Sequence, residues 1–341
     1  MRVILGAPIR SRPKPWLFFR VPAVMVNAFD IVRSGVREHV VKNLLQYDGE
    51  VWMDSGGYQF LKHGKVLDIE DLAALYDRYW DVRYYLNLDY PPSPTDSEGE
   101  VRSKLKASLR NYEYLTRRFD NVIPVIHYHH RTDIISEYLV KYLDRNPPCI
   151  AIGGLVPYVL ISRNVPKNSR KLALEFLLRV RQETKACIHV LGLGSPVINP
   201  ILKAIGVDST DTSTWRVKAA YGKVVMPGGG ERHVSGRAIN FGGKEATSDD
   251  LARLYRFLRE TGFPLIDRFF EELQTSFEYR ALVNAWVILN SYEPPSTGVF
   301  RKIYNELVES MGRQKMGNEA LVIPLRNQTT SSGSFPDNPR R

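Results

Sequence analysis

The sequence predicts an α/β protein: a (β/α)8 TIM barrel with a C-terminal helical extension. The chain has 341 residues, of which 43% are hydrophobic, enough for one large barrel domain or two ordinary domains. Short apolar segments alternate with amphipathic segments at intervals of roughly 30 to 40 residues, which suits βα units. About eight apolar segments are continuous, as in strands buried on both faces. A doubly wound open sheet is the alternative, but no G-x-G-x-x-G motif follows a first strand.

Strand and helix candidates follow one another along the chain. Residues 1–20 are rich in Pro and Arg and are predicted to pack as an entry segment. Strands are predicted at 21–27, 51–54, 84–89, 122–127, 149–154, 188–192, in the run that ends at 207, and at 238–241. Helices are predicted at 31–45, 69–79, 98–119, 133–143, 169–185, 249–261, 265–289 and 300–311, with a further short helix that ends at 205. The predicted domains are a barrel over 1–245, a helical subdomain packed on it over 246–326, and a disordered tail over 327–341.

The segment 206–216 combines two carboxylates with several hydroxyls, an indole and a guanidinium. An apolar lead-in at 201–207 runs into Asp208, Asp211 and Arg216. A short buried strand followed by a polar loop has this pattern, and enzymes built on strand scaffolds place their chemistry at such junctions. A turn rich in Asp, Ser and Thr is the alternative interpretation.

Charge and cysteine usage narrow the class of protein. With 47 Lys and Arg against 37 Asp and Glu, the net charge of +10 favours a polyanionic partner such as nucleic acid, with a merely solubilising basic surface as the alternative. Cys149 and Cys187 lie in apolar runs and are predicted to be buried strand residues without a disulfide or a metal. No signal peptide or membrane span is recognisable, so we expect a soluble, cytoplasmic protein that does not contact membranes.

In a barrel, the carboxyl ends of the strands converge on one pocket. The residues that this sequence delivers there are Asp54, Ser55, Gly56, Gly57, Asp89, His127, Gly153, Gly154, Gly192, Gly194, Asp208 and Asp211. Facing carboxylates can divide labour between a nucleophile and a general acid/base. Glycines allow a flat ligand to approach the backbone, and Tyr58 can stack on an aromatic ring. The pattern predicts a pocket for a heterocycle without identifying which one.

Four motifs resemble the tRNA-guanine transglycosylase superfamily in order and spacing. They are D-S-G-G-Y-Q at 54–59, A-I-G-G-L at 151–155, H-V-L-G-L-G at 189–194 and G-V-D-x-x-D at 206–211. The resemblance covers roughly residues 20–245. It implies a (β/α)8 enzyme that exchanges a guanine in a polynucleotide for a 7-deazaguanine base, with no cofactor.

The resemblance also implies individual roles. Asp211 would be the nucleophile on the ribosyl C1′, and Asp54 the general acid/base that protonates the leaving base. Asp89 would bind the Watson–Crick edge of the base, and the backbone of Gly153 and Gly154 its carbonyl. The remaining base-pocket residues would be Ser55, Gly56, Gly57, His127 and Asp208, with Tyr58 and Leu191 sandwiching the ring.

The chain departs from the tRNA enzymes in three ways. Those enzymes bind zinc with three cysteines and a histidine after the last barrel strands, whereas this sequence has no cysteine after Cys187 and no histidine after His233. His127 stands where they typically have Gln. A long C-terminal extension of the archaeal kind is not expected. No metal is therefore predicted, and the helical segment 277–284 is expected to replace the zinc-bound subdomain.

These departures favour the branch that inserts 7-cyano-7-deazaguanine into DNA. The predicted nucleic-acid contacts are Arg216, Lys218, Lys223, Arg232 and Arg237, together with the basic helix 102–118, for which a solvated face is the alternative. A tRNA substrate, a non-catalytic nucleic-acid-binding paralogue and a hydrolase of free nucleosides remain alternatives. The resemblance leaves a homodimer or a partner subunit open.

Overall fold

The structure of the protein is a computed structural model. It describes residues 1–64, 67–160, 162, 164–166, 168–236, 244–295 and 298–320, without the side chains at 58, 61, 62 and 311–320. The strand predicted at 238–241, the tail at 327–341 and Arg237 lie outside the described residues.

Nine parallel segments form one sheet, and they wrap into the predicted barrel. They are β1 (Arg2–Gly6), β2 (Ala23–Asn27), β3 (Glu50–Asp54), β4 (Tyr84–Leu86), β5 (Val122–Ile123), β6 (Val125–His127), β7 (Cys149–Gly153), β8 (Cys187–Val190) and β9 (Ser209–Thr212). The first segment pairs with both the second and the last. β5 pairs with β4 and β6 pairs with β7, so these two are halves of one strand separated by Pro124. Nine segments therefore make an eight-stranded barrel.

The junction at Pro124 is completed by a side chain. Proline has no N–H to give to the ladder, although its carbonyl still accepts from the Ala151 N–H at 2.8 Å. Beside it, the side-chain oxygen of buried Asn87 accepts from the Val125 N–H at 2.5 Å. The Asn87 amide nitrogen donates to the carbonyls of Leu88 and Ser108, both at 3.1 Å. An asparagine side chain thus replaces part of the ladder between the fourth and fifth strands.

Residues of β3 show how the strands position the interior. Val51 and Met53 belong to the large core cluster that the helices share, whereas Trp52 belongs to a smaller cluster inside the barrel. Because side chains alternate along a strand, Glu50 and Asp54 lie on the same face as Trp52. Asp54 therefore lies above Trp52, at the carboxyl end of the barrel.

Helices follow the strands as predicted, with some differences in extent. They are α1 (Ala28–Ser34), α2 (Val41–Leu45), α3 (Gly57–Lys62), α4 (Ile69–Arg78), α5 (Glu98–Leu115), α6 (Thr132–Leu143), α7 (Val156–Val159), α8 (Ser169–Glu183), α9 (Asn199–Ile205) and α10 (Thr214–Ala220). The single helix predicted at 31–45 is two helices, because Gly35 ends the first in a left-handed conformation (φ 60°).

Two predictions about barrel strands were wrong. Residues 1–20 are not only an entry segment, because β1 lies within them and closes the barrel against β9. The last strand is not the apolar run ending at 207. That run is mostly α9, which Gly206 ends at φ 91°, and the strand is the polar segment Ser209–Thr212. A barrel interior can accommodate polar strand residues when they bond to one another.

The prediction that the cysteines form no disulfide was also wrong. Cys149 and Cys187 begin the neighbouring strands β7 and β8, are paired in register and are joined by a disulfide. Sequence spacing concealed this contact because 38 positions separate the two cysteines.

A short sheet and further helices follow the barrel. The strands are β10 (Lys223–Val225), β11 (Glu231–His233) and β12 (Lys244–Glu245), and the helices are α11 (Ser248–Glu260), α12 (Phe269–Glu272), α13 (Phe277–Asn290) and α14 (Gly298–Ala320). The helix predicted at 265–289 is thus interrupted. Buried Asn284 of α13 accepts from the Val225 N–H at 2.7 Å and donates to the carbonyls of Trp215 and Lys223 at 3.0 and 3.1 Å. None of the helices in the described ranges has the length and apolarity that a membrane span needs.

Candidate active site

Two carboxylates at the carboxyl end of the barrel line one cavity of about 300 Å³. Asp54 is the last residue of β3, and Asp211 is the third residue of β9. The cavity wall also contains Asn27, Gln59 and Arg216. Strands distant in sequence therefore bring together the two residues predicted to be catalytic.

Asp54 is held by a neighbouring strand. The Asn27 side-chain amide, at the end of β2, donates to Asp54 Oδ2 at 2.6 Å. Burial, followed by the nearby carboxylates of Asp89 and Asp211, raises the pKa of Asp54 to about 8, and backbone N–H groups of Gly56 and Ser55 offset part of this shift. Asp54 therefore carries a proton near neutral pH, as a general acid must.

Asp211 is held through one of its two oxygens. Oδ1 accepts a hydrogen bond from the Gly192 N–H at 2.8 Å, and the Nε2 atom of His189 lies 3.4 Å from the same oxygen. Within the described ranges, Oδ2 makes no hydrogen bond or ion pair with the protein. The Asp211 side chain keeps 15% of its surface exposed, so it can reach a ligand in the cavity.

A second pair of polar residues lies beside the first but is closed. His127 Nε2 and Asp89 Oδ2 are 2.5 Å apart, and the Ser55 hydroxyl donates to Asp89 Oδ1 at 3.0 Å. Asp89 is 7% exposed and His127 4% exposed. The Nδ1 atom of His127 finds no hydrogen-bond partner among the described residues. Asp89 and His127 thus form a closed pair, and neither of them lines the cavity that contains Asp54 and Asp211.

The glycines at the carboxyl ends of β3 and β7 are required by the local structure, whether or not a ligand binds there. A Cβ on Gly153 would lie 2.6 Å from the His127 ring, and one on Gly57 would lie 2.6 Å from the Asp89 carbonyl oxygen. Gly56 and Gly154 have φ values of +74° and +72°, in the left-handed region that other residues avoid. These glycines allow the closed pair to sit against the backbone.

Asp208 is not with the other predicted pocket residues. It precedes β9 and therefore lies at the amino end of the barrel, opposite Asp211. Its Oδ2 accepts from Arg181 Nη1 at 3.1 Å and from the Ile188 N–H at 2.8 Å. The prediction that it binds substrate is corrected, because the strand was predicted to end at 207, before Asp208, whereas the observed strand is Ser209–Thr212, after Asp208.

The predicted nucleic-acid contacts divide into two groups. Arg216 lines the cavity. By contrast, Lys218 and buried Lys223 form ion pairs with Glu231, and Arg232 Nε donates to Asp250 at 2.7 Å. In the long basic helix, Arg102 pairs with Glu98 of the same helix and with Glu137 of α6. Arg216 is thus the predicted cation that the structure brings to the carboxylates.

Two further predicted residues belong to this end of the barrel. Leu191 follows β8 and is half-buried against the interior cluster, where its Cδ1 atom is 3.3 Å from a Cβ built on Gly153. Tyr58 belongs to α3, and its side chain lies outside the described residues.

Sequence reasoning missed Asn27, Gln59 and His189. Asn27 ends an apolar strand just as Asp54 does, so the same strand-end rule would have found it. Gln59 lies within the quoted D-S-G-G-Y-Q motif, and His189 within the quoted H-V-L-G-L-G motif. His189 was passed over because a lone histidine in an apolar strand resembles an ordinary core residue. In the described part of the chain, no group of three or more His, Cys, Asp or Glu side chains could hold a metal ion.

Comparison with known proteins adds relatives to this geometry. No protein-family model matches the chain. An uncharacterized protein of Sulfolobus islandicus rod-shaped virus 1 is 25% identical over 291 residues, which is 81% of this chain and 82% of that protein. The tRNA-guanine(15) transglycosylase of Nanoarchaeum equitans is 26% identical over 227 residues, 60% of this chain and 50% of that enzyme. That of Pyrococcus furiosus is 23% identical over 238 residues, 68% of this chain and 40% of that enzyme.

These matches confirm the resemblance to the tRNA-guanine transglycosylase superfamily. The chain spans half or less of the length of the two named enzymes.

Proposed function

We propose that this protein is a base-exchange transglycosylase that replaces a guanine in DNA with a 7-deazaguanine, such as 7-cyano-7-deazaguanine, through a covalent intermediate on Asp211. The observation that carries the proposal is the pair Asp54 and Asp211 in one cavity, with the pKa of Asp54 raised to about 8. A protonated carboxyl that faces a second carboxyl group across a cavity is the arrangement that retaining glycosyl transfer uses.

In the first half-reaction, the free Oδ2 of Asp211 attacks C1′ of the target nucleotide. The C1′–N9 bond breaks, its electron pair leaves with the guanine, and Asp54 gives its proton to the departing base. The products are a glycosyl ester on Asp211, free guanine and an ionised Asp54.

In the second half-reaction, ionised Asp54 takes a proton from the incoming 7-deazaguanine. The N9 atom of that base attacks C1′ and displaces the Asp211 carboxylate, which restores both side chains to their starting states. No net proton or electron is consumed, so the exchange needs no cofactor.

Base recognition is assigned to the closed pair and its surroundings. Asp89 and His127 would release each other in part and bond to the edge of the base, while Ser55 keeps Asp89 in place. The backbone at Gly56, Gly57, Gly153 and Gly154 would admit the ring, and Tyr58 and Leu191 would cover its faces. A purine whose hydrogen-bonding edge matched that pair would be the preferred base.

Arg216 is proposed to hold a phosphate beside the target nucleotide, because it lines the same cavity as the two carboxylates. In a duplex the guanine would be flipped out of the stack to reach Asp211. The net charge of +10 supports a polyanionic substrate. DNA is preferred over tRNA because the sequence lacks the cysteines and histidine of the zinc site after the barrel. The names of the relatives favour tRNA as the second candidate.

The test is incorporation of labelled guanine and labelled 7-cyano-7-deazaguanine into duplex DNA and, in parallel, into bulk tRNA, with Asp211→Asn as the control. We expect label in DNA that depends on Asp211. Label in tRNA alone would establish the second candidate. Binding without label in either polymer would identify a non-catalytic nucleic-acid-binding protein, and release of base from free nucleosides would identify a hydrolase.

A further inference from the structure

We infer that His189 is a positioning residue for Asp211: with Ser209 it forms a buried relay that fixes one carboxylate oxygen and leaves the other for attack. The inference rests on the proposed function for its consequence in catalysis. Its structural part, the relay itself, can be tested without any activity.

The relay consists of three side chains from two adjacent strands. The His189 Nδ1 atom lies 2.9 Å from the Ser209 hydroxyl oxygen, and its Nε2 atom lies 3.4 Å from Asp211 Oδ1. His189 is 0% exposed and Ser209 1% exposed, so water cannot replace either partner. Asp211 is the end of the relay that faces the cavity.

The tautomer of His189 follows from its two neighbours. A hydroxyl can donate or accept, so Ser209 is compatible with a proton on either ring nitrogen. A carboxylate can only accept, so Nε2 must carry a proton if the ring faces an ionised Asp211. Ser209 then donates to Nδ1. At 3.4 Å the Nε2 contact is longer than a normal hydrogen bond, and it is expected to shorten when a ligand fills the cavity, as catalytic contacts commonly do.

The orientation of the ring is also restrained by packing. The His189 ring lies 4.8 Å from the Trp52 ring, and the Trp52 indole N–H donates to Glu50 at 2.6 Å. The imidazole therefore cannot rotate away from Asp211 without displacing a buried tryptophan. The Gly192 N–H donates to Oδ1 and His189 Nε2 lies 3.4 Å from the same oxygen, which leaves Oδ2 as the attacking oxygen.

The three residues are those of a serine-hydrolase triad, but their direction is reversed. In such a triad the serine faces the substrate and the carboxylate is buried. Here the serine is buried inside the barrel and the carboxylate faces the cavity. Ser209 therefore orients the ring and is not a nucleophile.

The structural test is ¹⁵N NMR of histidine-labelled protein, wild type and Asp211→Ala. We expect a neutral or doubly protonated His189 with the proton on Nε2 in the wild type, and a shift of that nitrogen in the variant. A ring protonated on Nδ1 alone, or a signal that does not respond to loss of Asp211, would overturn the relay.

The functional test compares His189→Gln, which can keep a donor near Nε2, with His189→Phe, which cannot. Misplacing a reacting group by about 1 Å can cost about 100-fold in rate, so we expect His189→Phe to lose about 100-fold in kcat with KM for the base unchanged. His189→Gln should recover at least about tenfold of that loss. Thermal unfolding of each variant identifies a loss that comes from misfolding.

The matched control is His233, a buried histidine on β11 whose Nε2, like that of His189, makes no hydrogen bond among the described residues, but which does not line the cavity of Asp54 and Asp211. His233→Phe and His233→Gln should not differ in kcat. Equal kcat in the wild type and His189→Phe would refute the positioning role while the proposed function stands. No exchange by the wild type on either polymer would refute the proposed function, and the NMR result would then decide the relay by itself.

Discussion

The two ends of the barrel carry polar residues of opposite character. At the amino end, Arg2 pairs with Glu50 at 3.1 Å, Asp208 pairs with Arg181, and a disulfide joins β7 to β8. At the carboxyl end, Asp54 has a raised pKa, and one oxygen of Asp211 makes no hydrogen bond or ion pair with the residues that the structure describes. The charged groups at the amino end are paired with one another, whereas Asp211 at the carboxyl end has an oxygen available to a ligand.

This difference separates stability from chemistry within single strands. β9 begins beside Asp208 and contains Asp211 near its other end, so one strand of four residues connects the two regions. In a TIM barrel the amino end contributes mainly to stability and the carboxyl end to catalysis. The two ends are compared most directly by substituting one residue at each end of the same strand.

The largest effect is expected from Asp211→Ala compared with Asp208→Ala. Loss of the proposed nucleophile should reduce base exchange on the order of 10⁴-fold or more, with little change in stability. Asp208→Ala should cost about 1 kcal/mol of the free energy of unfolding, because its ion pair is half exposed, and should leave exchange within about twofold. Single-turnover exchange and urea unfolding of both variants measure the contrast. A greater loss of base exchange in Asp208→Ala than in Asp211→Ala would contradict the assignment of catalysis to the carboxyl end.

Asp54→Asn should slow expulsion of the base about 10²- to 10⁴-fold, since it removes the general acid. Because the folded pKa of Asp54 is about 8, above that of an unfolded aspartate, its proton stabilises the folded state. That contribution is complete below about pH 4 and is lost as the pH rises through about 8. Between pH 4 and pH 9, the free energy of unfolding of the wild type should therefore fall by a few kcal/mol relative to that of Asp54→Asn. Parallel curves for the two proteins would contradict the raised pKa.

The double substitution Cys149→Ala and Cys187→Ala tests whether the disulfide at the amino end contributes to stability and not to base exchange. The disulfide closes a loop with a sequence separation of 38, so its loss should lower the free energy of unfolding by about 4 kcal/mol. Exchange at a temperature where both proteins are folded should stay within about twofold of the wild type. A reductant should destabilise the wild type and not the variant, which distinguishes loss of the bond from loss of packing.

Gly153→Ala tests the closed pair of Asp89 and His127. The added Cβ would meet the His127 ring at 2.6 Å and push it from Asp89, so we expect KM for the base to rise about tenfold. Gly99→Ala is the control, because nothing lies within 4 Å of its Cβ in α5. An unchanged KM in Gly153→Ala would show that the pair does not contact the base.

The smallest effect concerns the cations. Arg216→Ala should weaken binding of nucleic acid and reduce the slope of log K against log salt by about 1, as expected for one lost phosphate contact. Arg232→Ala should leave the slope unchanged, because Arg232 bonds to Asp250 at 2.7 Å. Fluorescence titrations at several salt concentrations measure both slopes, and equal slopes for the two variants would count against the role of Arg216.

Local patterns in the sequence predicted most of the barrel. Strand-end carboxylates such as Asp54 follow apolar runs, and two-residue alternation then places them inside. The patterns failed at β9, where Ser209–Thr212 is polar because its side chains bond within the interior, as Ser209 does with His189. They also failed at the disulfide, since pairing of β7 with β8 depends on register across the sheet. Closure of the Asp89–His127 pair, too, follows from side-chain geometry that spacing does not encode.

Pro124 interrupts the fifth strand of the barrel between β5 and β6, and we call this interruption the seam. Between β4 and the fifth strand, an Asn87 side chain supplies a bond that a backbone ladder supplies elsewhere, so this junction should exchange its amide hydrogens before its neighbours do. Asp89 follows Asn87 by two residues, and His127 follows Val125 by two. Local opening of the sheet at the seam would therefore loosen the contact between Asp89 and His127. Under the proposed function, local opening at Pro124 would free the Asp89–His127 pair to bond to a base.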